Sequence, residues 1–211
     1  MAILNDNLLN DLFDDADVAR YDGNAKVAKK TPYLTAGPGR YELALSAYKT
    51  GTGESEKRFG QSYVVFEFEV LKAEAINDSD GKSHAPTHQP GATVSMVKYV
   101  SGRISVKEAM TMTACILGIP PVLAVPSGPH EGKILPMVDN ATFERCSEDE
   151  GAGIVGNVVQ ADIVPKEGKG KHAGRTFFNC YAKPAAGSYP TADELVEKGL
   201  DIEGLATARF G

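Results

Sequence analysis

A chain of 211 residues, 42% hydrophobic and 24% charged, has the composition of a folded protein with room for one full core plus extensions, which excludes a disordered one. No run approaches the roughly 20 apolar residues that span a bilayer, and residues 1–17 carry aspartates where a signal peptide would carry lysine or arginine, so a cytoplasmic protein with no membrane partner is expected. The net charge of -6 is unevenly spread: residues 1–22 hold -5 and residues 185–211 hold -3, so the body, 23–184, is mildly basic at +2.

In chain order, residues 4–18 place Leu4, Leu8, Leu9, Leu12 and Phe13 at helical spacing opposite an acidic face, which predicts a short docking helix in an N-terminal extension over 1–35. Thr35–Arg40 is a turn cluster that ends the connector. From Tyr41 the pattern alternates, with Tyr41, Leu43, Leu45 and Ala47 on one face and Glu42, Ala44, Ser46 and Tyr48 on the other, the period of a half-buried strand. A glycine-rich loop with Lys49, Lys57 and Arg58 leads to a second strand, Ser62–Leu71. Its inner face is Val64, Phe66, Phe68 and Val70, and Tyr63 lies on the opposite side. Residues 75–90 read as a loop, and Thr93–Val100 as a third strand.

Ser105 and Glu108 have the spacing of a capping box, which predicts a helix from there to Gly118, and Pro120-Pro121 forbids its continuation. The stretch 120–150 is proline-rich, with one short strand expected, and closes on Glu148-Asp149-Glu150. A long hairpin follows, Ile154–Val164 and Thr176–Ala182. Its glycine-rich tip holds Lys166, Lys169, Lys171, His172 and Arg175 against a lone Glu167, a flexible cationic loop suited to phosphate. Residues 185–211 form an acidic tail with one helix, capped by Thr191 and Glu194.

The order of three strands, a helix and a two-stranded hairpin predicts a mainly β fold over 36–184. It fits a five-stranded OB-fold barrel with one helix between strands three and four, in which the first-to-second and fourth-to-fifth loops bind oligonucleotides. A β-sandwich accepts the strands but gives no reason for the capped helix.

Catalytic signals are missing. The chain has no GxSxG, P-loop, HExxH or GxGxxG motif, and Glu67 and Glu69 read as a solvated strand face. Pro86 between His84 and His88 denies them the helical geometry of a metal pair. Cys115, Cys146 and Cys180 form no CxxC pair and read as buried apolar residues, so no metal and no cofactor are expected. Cationic loops and aromatic rings instead suit single-stranded nucleic acid, whose backbone follows a positive groove while its bases stack on rings. The residues assigned to that role are Lys49, Lys57, Arg58, Lys166, Lys169, Lys171 and Arg175 for phosphates, with Tyr48, Tyr63 and Phe178 for bases. Phe177 and Phe178 cannot share a face, so one of the two enters the core.

Pro38-Gly39-Arg40-Tyr41, the Ser62–Leu71 strand, the helix ending Leu117-Gly118 and the Gly156–Asn179 run with its Gly174-Arg175-Thr176-Phe177-Phe178-Asn179 end together resemble small OB-fold proteins of tailed bacteriophages. Single-stranded DNA-binding proteins of phage replication are among them. The resemblance covers about residues 36–184. It implies sequence-tolerant, non-catalytic binding of single-stranded DNA during DNA replication or recombination in the infected bacterial cell. It also implies recruitment of replication or recombination proteins through the acidic C-terminal tail, and leaves homo-oligomerisation open. The tail departs from that pattern, with Phe210 penultimate, Arg209 before it and its acids spread out. The alternative function is a phage structural or interaction protein that docks on a protein partner through its acidic ends.

Overall fold

The computed structural model describes residues 12, 30–31, 37–54, 59–100 and 102–211. The helix expected at 4–18 lies outside them except for Leu12, which is buried in the main core. Lys57 and Arg58 also lie outside the described residues.

In chain order the elements are β1 (Lys30–Thr31), β2 (Gly39–Thr52), β3 (Ser62–Glu74), the short β4 (Ile76–Asn77) and β5 (Ser83–His84), β6 (Thr93–Tyr99) and helix α1 (Arg103–Leu117). They continue with β7 (Val122–Ala124), β8 (Ile134–Pro136), α2 (Asn140–Ser147), β9 (Val158–Glu167), β10 (Thr176–Pro184), α3 (Ala192–Glu197) and α4 (Ile202–Phe210). Alternation on the long strands explains the main layer. Val64, Phe66, Phe68 and Val70 of β3 face Tyr41, Leu43 and Leu45 of β2 and Val159, Ala161 and Ile163 of β9 in one buried cluster. Removing each such large side chain from water contributes about 1.5–3 kcal/mol.

The fold is mainly β. Five long strands and the two-residue β1 form one antiparallel sheet in the order β1-β10-β9-β2-β3-β6. The fourth long strand, β9, lies beside the first, β2, which gives the 4-1-2-3 order of a Greek key.

The closed barrel expected from the sequence is not formed. Closure would need β6 to reach β10, but the outer edge of β10 is already taken by β1, through Lys30 opposite Tyr181 and Thr31 opposite Cys180. The helix position also differs from the expectation. Helix α1 lies across one face of the sheet, against β10, β1, β6 and β9, and a second helix and a β7–β8 hairpin separate it from β9. Its start moves too. Gly102 is the N-cap, and its N–H donates to the Ser105 hydroxyl at 3.1 Å. Glu108 is drawn instead into an ion pair with Lys98 of β6. At the other end Gly118, left-handed at φ 68°, stops the helix.

The 120–150 stretch is more ordered than its prolines suggest. The β7–β8 hairpin, with α3 and α4, builds a second small core of Leu123, Val125, Leu135, Leu195, Ile202 and Ala206. The C-terminal segment is therefore folded as two helices where one was expected. Phe210 is held by the β7–β8 loop, its ring 5.6 Å from that of His130 and under the Lys133 ammonium at 5.0 Å. Among the described residues no helix is long and apolar enough to cross a membrane.

The expected loop at 75–90 holds the β4–β5 hairpin, organised by Asp78. Its carboxylate accepts from the N–H groups of Asp80 and Lys82, both at 2.9 Å, and meets His84 Nε2 at 2.8 Å. The His84 hydrogen bond, more than any other influence, holds the Asp78 carboxyl below the usual carboxylate range. A depressed acid contributes stability that is present above its ordinary pKa and lost as pH falls through the lowered one. Amide protection over residues 78–84 should therefore disappear on acidification before the main sheet unfolds, and persistence until global unfolding would contradict this. Tyr48→Phe, which removes the buried 2.8 Å bond between the Tyr48 and Thr113 hydroxyls, should cost about 1–2 kcal/mol, read as a lower urea midpoint at unchanged slope.

Candidate nucleic-acid interface

Two regions of the outer sheet surface carry those of the sequence-predicted residues that face outward among the described ones, and β2 sets the distance between them. The start of β2 pairs with the end of β9, Gly39 opposite Ile163 and Arg40 opposite Asp162. The β9–β10 tip thus projects past that end, whereas the loop carrying Lys57 and Arg58 leaves the other end after Thr52. Fourteen residues of β2, at a rise of about 3.4 Å each, put its two ends about 45 Å apart.

The hairpin tip is a folded unit. A 3₁₀ turn at Gly170–His172 is closed by hydrogen bonds from Gly168 N to Arg175 O (2.7 Å), Ala173 N to Gly170 O (3.0 Å) and Arg175 N to His172 O (3.1 Å). A Cβ on Gly168 would run into the His172 carbonyl, so only glycine permits this closure. The sequence-level expectation of a flexible loop is corrected to that extent. Lys166, Lys169, Lys171 and Arg175 are all exposed, and none of them is in an ion pair among the described residues. Glu167, the one acid there, accepts from the Thr176 hydroxyl at 2.9 Å.

Register decides the two phenylalanines. On β10, Cys180, Ala182 and Pro184 point inward, and Phe178 shares their parity and packs against the main core. Phe178 is therefore corrected from stacking ring to core-facing residue. Phe177, opposite Lys166 on the outer face, is 43% exposed, with its ring edge-on to His172 at 5.7 Å. The tip presents an aromatic pair on a turn that also carries four exposed cations.

The second region is the outer face of β3 and β6. Tyr63 and Tyr99 are opposite in register, with ring centroids 5.7 Å apart, and Val65 faces Val97 in the next row. Tyr63 leans over Gly51 of β2. Phe59, in the loop just before β3, is 81% exposed. Sequence reasoning passed over Phe59 because it lies in a loop. Lys49 shares this face, opposite Val65, and pairs with Glu150 at 3.1 Å, chiefly through a hydrogen bond that raises its ammonium pKa.

Tyr48 is corrected outright. It is fully buried, bonded to Thr113 and edge-on to Phe66 at 5.1 Å. The cause is an extra residue in β2, Ser46. Leu45 pairs with Phe68 and Ala47 with Glu67, so the register shifts and the inward parity switches from odd to even positions.

Among the described residues no group of histidine, cysteine and acid is placed to hold a metal. A cavity of about 440 Å³ beside the end of α1 is lined in part by Cys115, Asn157 and Tyr189. Burial pushes the Cys115 thiol up to about 12, which keeps it protonated and a poor nucleophile at neutral pH. Cys146 and Cys180 are also buried, and neither is in a disulfide among the described residues.

Gly168→Ala should open the tip, read as faster trypsin cleavage after Lys169 and Lys171 with the global melting temperature little changed. Unaltered cleavage would show that the turn does not depend on the glycine. Comparison of the chain with family models, with curated proteins and with solved structures gives no match.

Proposed function

We propose that the protein is a non-catalytic, sequence-tolerant binder of single-stranded DNA, of the kind tailed bacteriophages use in replication or recombination, built on an opened relative of the OB fold. The observation that carries this reading is the β9–β10 tip, where four exposed cations, none in an ion pair among the described residues, share one turn with the exposed Phe177 and His172. Cations of this kind bind phosphates with release of counterions, and an outward ring offers a base a stacking surface worth about 1–3 kcal/mol. The fold supports it too. A Greek-key sheet with a fifth strand beside the fourth has the strand plan of a partly open OB barrel, and the β3–β6 face with Tyr63 and Tyr99 occupies the position of that fold's ligand surface. Binding of this type is indifferent to sequence and weaker for duplex, whose bases are already stacked.

A second reading, docking on a protein partner, is favoured by one observation. The acidic C-terminal helices leave Val196 and Leu205 exposed among Glu197 and Glu203.

Fluorescence anisotropy with a labelled oligothymidylate of about 30 nucleotides, at low and moderate salt and against a matched duplex, tests the proposal. Salt-sensitive binding to the single strand alone is expected. Equal affinity for duplex, or no binding at low salt, would overturn it and turn attention to the C-terminal helices. Replacing Lys169, Lys171 and Arg175 by glutamine should flatten the log–log salt slope by about 2, at about 0.7 per phosphate contact. Phe177→Ala should weaken binding by about 1–3 kcal/mol without loss of stability. Phe178→Ala should show the reverse.

A further inference from the structure

Residues 147–151 close over three successive residues of β2. Gly151 lies against Tyr48, where an added Cβ would come within 2.8 Å of the Tyr48 Cβ. Glu150 pairs with Lys49 at 3.1 Å, and the Thr50 hydroxyl donates to Ser147 Oγ at 3.2 Å. Between these anchors Glu148, Asp149 and Glu150 are all exposed. Asp149 and Glu150 both lie in the left-handed region, at φ 46° and 57°, which non-glycine residues seldom adopt. Two neighbouring residues in that conformation hold the turn in a shape that brings the Glu150 carboxylate to Lys49.

Lys49 lies on the outer face, in the row beside Tyr63 and Tyr99. Of the cations assigned to phosphates at this end of β2, it is the one within the described residues. The face near it is otherwise acidic, with Glu67 and Glu69 on the same side of β3. A carboxylate oxygen on the Lys49 ammonium has the charge and acceptor character of a phosphate oxygen, and it sits where a strand crossing the tyrosine pair would bring one.

Resting on the single-strand reading above, we propose that the acidic turn 148–150 is an autoinhibitory contact, in which Glu150 occupies Lys49 in place of a phosphate and is displaced when DNA engages this end of the face. The hairpin tip, with no such competitor, takes the strand first, and the Lys49 end joins once a phosphate displaces the carboxylate. Glu150 thus tunes the affinity of the longer contact while leaving the tip unchanged.

The test is a double-mutant cycle in the oligothymidylate titration, using Glu150→Gln, Lys49→Gln and both together, with melting temperatures to confirm folding. Glu150→Gln should bind about two- to fivefold tighter than the unmodified protein, the range expected on removing a competing surface ion pair. Its log–log salt slope should steepen by about 0.7, one additional phosphate. Lys49→Gln alone should change little, and the double variant should lose the gain. Glu150→Gly, which removes the carboxylate and relaxes the left-handed backbone, should match Glu150→Gln; a gain in the glycine variant alone would assign the effect to the backbone and overturn the charge competition. If the unmodified protein binds and Glu150→Gln matches it in affinity and slope, the autoinhibitory contact is refuted while the single-strand reading stands. Absence of binding in every variant would refute that reading, and the contact with it.

Discussion

The structure depends on β2 changing partners halfway along its length. Its first half is paired on both sides, by β3 and β9. At Leu45 the last contacts with the start of the β9 segment are made, through Leu45 N to Asn157 O and Gly156 N to Leu45 O, both at 2.8 Å. Beyond that point β9 is absent, and residues 147–151 cover the strand in its place. Ser46, the extra residue, falls at this changeover. A bulge there increases the local twist and rotates the rest of the strand, so Tyr48 enters the core and Lys49 reaches the outer face.

Charge is arranged along this frame in a way the net value hides. At the start of β2, Arg40 is held by Asp162 through bonds of 2.8 and 3.3 Å, and beyond it the tip cations form no ion pair among the described residues. At the far end Lys49 and Lys98 are each paired with a glutamate. The Arg40–Asp162 and Lys49–Glu150 pairs are exposed or half-exposed and contribute little to stability, whereas Lys98–Glu108 is largely buried. Of these pairs, Lys49–Glu150 lies on the tyrosine face and lowers the positive charge there, whereas Lys98 shares the inward parity of Val94 and Met96.

Much of the fold was legible in the residues, because strong alternation is set by local chemistry. The inner face of β3, the third strand, the hairpin and Gly118 as a helix stop all follow from period and backbone freedom. What was not legible depends on partners distant in sequence. Nothing in Leu45-Ser46-Ala47 announces a bulge, so counting by twos from Tyr41 put Tyr48 outside. Ser105 and Glu108 carry a capping-box spacing, yet Lys98 of β6 claims the glutamate and the helix starts earlier. At the tip, Phe177 and Phe178 are chemically identical, and only pairing across from Lys166 and Pro165 separates them. Lysine and glycine composition located that region, but the close packing of Gly168 against His172 could be read only from the folded turn.

These errors share one physical form. A parity slip moves a ring between core and surface and leaves a cation's role almost untouched, since a long, flexible lysine reaches solvent from either side of a loop. The lysines and arginine of the tip were accordingly placed from composition alone, and two of the three assigned rings were not. The proposed site of cations and stacking rings is thus legible unequally: its electrostatic half follows from where charge accumulates in the chain, and its aromatic half from register. Register in turn is fixed by the inserted serine for Tyr48 and by the β9–β10 pairing for Phe177 and Phe178.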